Sequence, residues 1–211
     1  MLRLVMALHL VDHPVIRERI TRIRSVASAT AEFREALHDV SRLLCYEVTR
    51  DLETVTVPVT TPLRETKGHR LARPVVLVPI LRAGIGLLQG FTDILGEASV
   101  GTIGLYRDEE TLVPHRYHFR MPPRLDEAEV ILIDPMLATG GSAGDAVEEL
   151  KAEGAGRIRF ACLIAAPEGV AAFTSRHPDV PVYAAALDEC LNERAYIVPG
   201  LGDAGDRYFG T

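Results

Sequence analysis

Asp134-Pro135-Met136-Leu137-Ala138-Thr139-Gly140-Gly141-Ser142 places an acid, two hydroxyls and two adjacent glycines between a continuously apolar run and a helical pattern. That order suits a sugar phosphate. Free main-chain N–H groups at a helix start, with the positive end of the helix dipole, attract an anion, and glycines let it come close to the backbone. Thr139 and Ser142 add hydroxyl donors, whereas Asp134 would repel a phosphate and is better suited to accept hydrogen bonds from ribose hydroxyls. The same composition also fits a plain tight turn in which Ser142 does no more than cap a helix. It is neither a Walker A loop, since no Gly-Lys-Ser/Thr follows, nor a GxGxxG dinucleotide fingerprint.

Three further segments carry candidate chemistry. Val78-Pro79-Ile80-Leu81-Arg82-Ala83-Gly84 sets one cation among small residues where an apolar run ends. Arg offers a planar fork to phosphate oxygens, so a diphosphate fits there; an ion pair with a surface acid is the alternative. Tyr106-Arg107-Asp108-Glu109-Glu110-Thr111 follows another apolar run, and its acids read as a solvated loop beside Arg107. The end of the chain, residues 196–211, holds Gly200, Gly202, Gly205 and Gly210 around Asp203. Glycines at that density argue for main chain held close to a ligand, against the alternative of a disordered tail. His115 and His118 have no third partner in the pattern, so no metal site is assigned.

These segments need a frame that brings them together. Residues 75–80, 100–106, 130–133, 160–166 and 182–187 are apolar without alternation, as in strands buried on both faces of a parallel sheet. Helical patterns lie between them at 85–95, at 143–153 with Gly154 as a C-cap, and at 168–175. The fold class is therefore α/β, a central parallel sheet flanked by helices. Ahead of it, Val15, Ile16, Ile20 and Ile23 share one helical face, and Phe33, Leu37, Val40 and Leu44 share another behind a Thr30 cap. Val55, Val57 and Val59 alternate with Thr54, Thr56 and Pro58, which predicts a half-buried edge strand beside the main sheet. Residues 111–126, with Pro114, Pro122 and Pro123 and many charges, read as a long loop or extended hairpin.

Composition bounds the partners. The 211 residues fit a single domain, 1–211, and 47% hydrophobic with 25% charged residues is the balance of a globular protein. A net charge of -6 leaves no electrostatic footprint for a nucleic-acid backbone, so no nucleic-acid partner is expected. No apolar run reaches membrane-spanning length and residues 1–10 are too short for a signal peptide, so no membrane and a cytoplasmic location are expected. Cys45, Cys162 and Cys190 are odd in number and widely spaced, as free thiols in a reducing compartment are.

In this order the segments resemble the type I phosphoribosyltransferases. Residues 134–142 are similar to that family's sugar-phosphate loop, and Asp134 followed by Pro135, where many members carry two adjacent acids, is characteristic of the uracil-specific branch. Residues 78–84 are similar to the pyrophosphate loop of that branch and residues 106–111 to its YRxEET motif. The likeness runs over essentially the whole chain and is weakest across 112–126.

The resemblance implies a type I phosphoribosyltransferase fold with N-terminal helices and a small hood built with the C-terminal segment. It implies that 5-phosphoribosyl 1-diphosphate is held by Arg82, Arg107, Asp134, Pro135, Met136, Leu137, Ala138, Thr139, Gly140, Gly141, Ser142 and Asp203. Uracil would lie at Ile197, Gly202, Asp203 and Ala204, and Arg82, Arg107 and Asp203 would be catalytic, with Asp203 orienting the base or assisting its deprotonation. Mg²⁺ would be carried mainly by the donor's oxygens. The likeness further implies a homo-oligomer, a dimer or higher, and GTP-responsive control for which no residues stand out. The expected reaction gives UMP and diphosphate, in pyrimidine salvage. Two other readings stay open: a regulatory protein of the same fold that binds RNA, which the acidic balance opposes, and a phosphoribosyltransferase for another base, separated only by the C-terminal segment.

Overall fold

A computed structural model describes residues 8–107 and 114–211. The chain runs β1 (Leu8–Leu10), α1 (Pro14–Arg24), α2 (Thr30–Val48), β2 (Thr54–Thr60), β3 (Glu65–Leu71), β4 (Val75–Leu81), α3 (Ile85–Ile94), β5 (Ser99–Val100), β6 (Thr102–Arg107) and β7 (Pro114–Arg120). It continues with β8 (Glu129–Leu137), α4 (Gly141–Ala152), β9 (Ile158–Ala165), α5 (Pro167–Arg176), β10 (Val182–Leu187), β11 (Cys190–Leu191), β12 (Ile197–Val198) and α6 (Ala204–Phe209). The central sheet has the order β1-β10-β9-β8-β4-β6-β7, with β5 also on β4. Every neighbouring pair in it is parallel except β6 and β7.

Apolar runs without alternation require a sheet covered on both faces, and the side chains divide accordingly. Val75, Leu77, Ile131, Ile133, Ala161 and Leu163 pack against α1, α2 and α3 through Ile16, Ile23, Phe33, Leu44, Leu87 and Phe91. Their neighbours Val76, Val78, Val130, Leu132, Phe160 and Cys162 pack on the opposite face against α4 and α5 through Ala146, Val147, Leu150 and Phe173. Phe33, Phe91, Phe160 and Phe173 are at most 1% exposed. Each such ring contributes roughly 1.5–3 kcal/mol through burial.

The start of α1 is fixed locally: His13 Nδ1 accepts the Val15 N–H at 3.2 Å, and Pro14 fills the first helical position. The cap expected at Thr30 falls one residue earlier. Ala29 is the cap of α2; it has no side chain to accept an N–H of the first turn, and only the reciprocal bond forms, Glu32 accepting the Ala29 N–H at 3.1 Å.

Two expectations need correction. The strand at Val55, Val57 and Val59 exists, but it forms a separate two-stranded antiparallel ribbon with β3 rather than an edge of the central sheet. β3, which carries Glu65, Lys67, His69 and Arg70, has no apolar face to announce it. A two-stranded ribbon leaves one side of each strand unpaired, which accommodates Pro58. The second correction concerns β8, which continues past Asp134 to Leu137. β4 accompanies β8 only as far as Pro79 beside Ile133, and from Asp134 onward β8 pairs with β9 alone. Pro135 thus falls where one side of the strand has no ladder partner, and its missing N–H costs no sheet bond. β7 pairs antiparallel with β6, so residues 114–120 are the extended hairpin rather than the loop.

Candidate functional site

The connections of the sheet decide where a ligand can enter. From β4 the chain leaves through α3 to β5 and β6 on one side; from β8 it leaves through α4 to β9 and α5 to β10 on the other. The strand order therefore reverses at the seam between β4 and β8, and the carboxyl ends of parallel strands on either side of such a seam form a crevice. Arg82 follows β4, Arg107 closes β6 beside it, and Thr139-Gly140 follows β8. The three segments singled out for phosphate chemistry are brought to one edge. Asp108 to Thr111 lie outside the described residues.

The loop after β8 is shaped by backbone. Gly140 caps α4 with φ 80, the left-handed region that favours glycine, and Thr139 Oγ1 accepts the Gly141 N–H at 3.4 Å. Ser142 lies inside the first turn of α4 rather than at its cap. Behind the loop stands the start of α5. The Ala166 N–H donates to Leu137 O at 2.9 Å, and a Cβ on Gly140 would meet Gly169 O at 2.9 Å. The sequence pattern marks Gly169 only as part of the helix at 168–175; its close approach to Gly140 makes it the wall of the loop.

Asp134 is partly buried at the root of this loop. Burial pushes its carboxyl up to about 7, against the opposing pull of a hydrogen bond from the main chain of Met136. Its cross-strand neighbour Cys162 is fully buried, and burial followed by the nearby Asp134 charge drives that thiol far above its ordinary range. Burial likewise pushes the Cys45 thiol up to about 12. Neither is a nucleophile at neutral pH.

Gly84 joins the β4 loop to the strand bearing Asp134. Its N–H donates to Ile80 O at 2.8 Å, and a Cβ there would stand 2.6 Å from Ile133 O, so only glycine lets the two segments touch. The Leu81–Arg82 peptide is cis. The Arg82 guanidinium carbon lies 5.5 Å from the centre of the Phe209 ring, a cation–π contact that sets the C-terminal helix beside the loop.

The C-terminal segment is a short β11–β12 pair followed by a glycine turn and α6. Gly200 and Gly202 have φ 63 and 79, and the Val198–Pro199 peptide is cis. Ile197 and Ala204 are buried, whereas Gly202 and Asp203 are exposed. Asp203 caps α6, its Oδ1 accepting the Asp206 N–H at 2.8 Å, and its other oxygen makes no part of the cap. The segment is tied to the N-terminal helices by cations that sequence reasoning missed. Arg207 donates to Leu201 O at 3.0 Å, to Ser25 O at 2.7 Å and to Ile23 O, and Arg34 Nε donates to Tyr208 O at 2.7 Å. Burial lowers the Arg207 pKa, a cost these three carbonyls offset. No local pattern marks such residues, because their partners lie at the other end of the chain.

A cavity of about 1190 Å³ lies elsewhere, along β1 and β10, lined among others by His9, Val11, Glu47 and Tyr183. It shares no residue with the loops just described, and its size alone gives it no chemistry.

Known proteins resemble the chain over nearly its whole length. The family model described as uracil phosphoribosyltransferase matches residues 10–211. The uracil phosphoribosyltransferase of Ligilactobacillus salivarius is 55% identical over 201 residues, 95% of this chain and 96% of its own. That of Macrococcus caseolyticus is 53% identical over 204 residues, 96% and 98% of the two chains. Among solved structures, the AQ2163 protein of Aquifex aeolicus superposes with a TM-score of 0.92 at 34% identity, covering 97% of this chain and 98% of that one. A purine phosphoribosyltransferase of Pyrococcus horikoshii, at 22% identity and a TM-score of 0.51 over 72% and 84% of the chains, shares the fold alone. Matched from residue 10 to its last residue, and more than half identical to relatives across nearly their full length, the chain belongs to the uracil phosphoribosyltransferase family.

Proposed function

We propose that the chain transfers the phosphoribosyl group of 5-phosphoribosyl 1-diphosphate to uracil, giving UMP and diphosphate in pyrimidine salvage. The observation that carries the reading is the meeting of an arginine loop, a glycine-backed anion loop and a glycine-rich main-chain segment at the β4–β8 seam. The bond from the anomeric carbon to diphosphate oxygen breaks, a bond from uracil N1 to that carbon forms, and the N1 proton leaves.

Each part has a role. Residues 139–142 anchor the 5′-phosphate through main-chain N–H groups and hydroxyls, and ionised Asp134 accepts from the ribose hydroxyls. Arg82 and Arg107 neutralise the departing diphosphate. Main-chain groups around Ile197, Gly202, Asp203 and Ala204 read the base, and Asp203 holds or receives its proton. Exchanging a uracil carbonyl for the amino group of cytosine would leave buried partners unpaired at about 1–3 kcal/mol each. Positioning and charge stabilisation dominate as the diphosphate departs.

The donor set fits an ion carried by the substrate. Asp134 and Asp203 are single carboxylates, and among the described residues no cluster of three or more metal-binding side chains occurs. Mg²⁺ of that kind binds one or two carboxylates and the diphosphate oxygens, and when bound supplies further charge neutralisation. The free state of Cys45, Cys162 and Cys190 supports a cytoplasmic setting. A homo-oligomer and GTP-responsive control complete the proposal on family likeness.

Incubation with the donor, Mg²⁺ and each nucleobase in turn tests the reading. UMP formed from uracil alone is expected. Consumption of another base, or RNA retention without UMP synthesis, would overturn it.

A further inference from the structure

We infer that Asp188 and Arg24 are positioning residues for the base, acting through Gly200; the inference rests on the uracil-transfer reading. The Asp188 side chain is 2% exposed, in the stretch between β10 and β11. Both its oxygens are used. Oδ2 accepts from Arg24 Nη1 at 2.8 Å and from the Gly200 N–H at 2.8 Å, and Oδ1 accepts from Arg24 Nη2. Arg24 Nη1 also donates to Gly200 O at 2.8 Å. The pair therefore grips the main chain of Gly200 by its donor and its acceptor at once.

That grip falls on a residue with no side chain of its own to hold it. Gly200 sits at φ 63 between Pro199 and the buried Leu201, one residue before the exposed Gly202 and Asp203, and a Cβ on it would stand 2.1 Å from Ile197 O. Glycines have no side chains to pack, so their orientation must be fixed from outside. The same aspartate links this turn to the sheet edge, because its N–H donates to Ala165 O at 2.9 Å and Ala165 pairs with Leu137, at the root of the anion loop. The angle between base segment and phosphate loop thus passes through Asp188. A buried ion pair is often no more stabilising than apolar residues of the same volume. What it supplies here is direction: Asp188 Oδ2 and Arg24 Nη1 meet the N–H and the C=O of Gly200, while Oδ1 and Nη2 lock the two side chains to each other.

The prediction separates geometry from stability. Arg24→Lys keeps the charge and loses the fork; Asp188→Asn keeps the shape and presents an amide nitrogen to Arg24. Each should raise KM for uracil about tenfold or more, with KM for the phosphoribosyl donor changed less than about twofold. A merely structural pair would lower the melting temperature and the active fraction while leaving both KM values as in wild type, and that result would overturn the inference. Should Asp188→Asn fail to fold, Arg24→Lys, whose side chain is 24% exposed, decides alone. Formation of UMP by the wild-type protein is the separate readout for the transfer reading itself. Wild-type activity with unchanged uracil KM in the variants removes this inference and leaves that reading standing.

Discussion

Gly169, in the first turn of α5, lies with its bare Cα against the carbonyl of Ala138, and a Cβ there would come within 2.2 Å of that oxygen. The helix that follows β9 therefore sets how far the anion loop can move back.

Gly169→Ala should push the loop forward or force α5 away. We expect KM for the phosphoribosyl donor to rise about tenfold, with a stability loss of about 1–3 kcal/mol from the overpacked contact. Steady-state kinetics and a urea titration read the two effects separately. Wild-type donor KM in the variant would show that the loop does not lean on α5.

Asp134 gives the reaction a pH dependence whose sign follows from its burial. Its folded pKa, raised from 3.8 to about 7, lies above the unfolded value. The neutral carboxyl therefore favours the fold fully at pH below 3.8, and that contribution is lost as pH rises through about 7. Ribose hydroxyls need the ionised acceptor, so donor affinity should weaken as pH falls through 7, and Asp134→Asn should flatten the profile. A wild-type donor KM that is level across this range would dismiss the assignment.

Arg82→Lys tests the diphosphate contact. Lysine keeps the charge but loses the planar fork and its stacking over Phe209. A fall in kcat/KM for the donor of about a hundredfold is expected, roughly 2.7 kcal/mol of lost transition-state binding. An effect under threefold, or one confined to uracil, would move diphosphate binding elsewhere.

Arg207→Met tests the hood. Loss of its donors leaves the carbonyls of Ile23, Ser25 and Leu201 without this partner. Stability should drop by about 2 kcal/mol, seen as a lower urea midpoint at unchanged slope. Loss of slope instead would mean that the C-terminal segment comes away by itself.

The fold was largely legible because burial on both faces leaves a signature that needs no partner: the runs at β4, β8, β9 and β10 are apolar throughout. The glycine turn after β8 and the place of Arg82 after β4 were legible for a similar reason, since a strand end, glycines and a cation are neighbours in sequence. What escaped is what depends on distant partners. β3 has polar residues on both faces, and the grip of Arg24 and Asp188 on Gly200 joins three stretches far apart in the chain. Gly169 looked like any glycine in a helix start, because its reason lies in the backbone of another loop.

The β4–β8 seam also has a history in time. Val75 meets Glu129 across it, and at the sheet's edge Leu8 meets Val182, so these parallel neighbours find each other only after long stretches of chain have closed into loops. Pairing of that kind slows folding, and until it is complete the apolar runs of β4, β8 and β9 lie open to the same runs in other copies. The strand order that creates the crevice thereby places its completion behind the closure of those long loops.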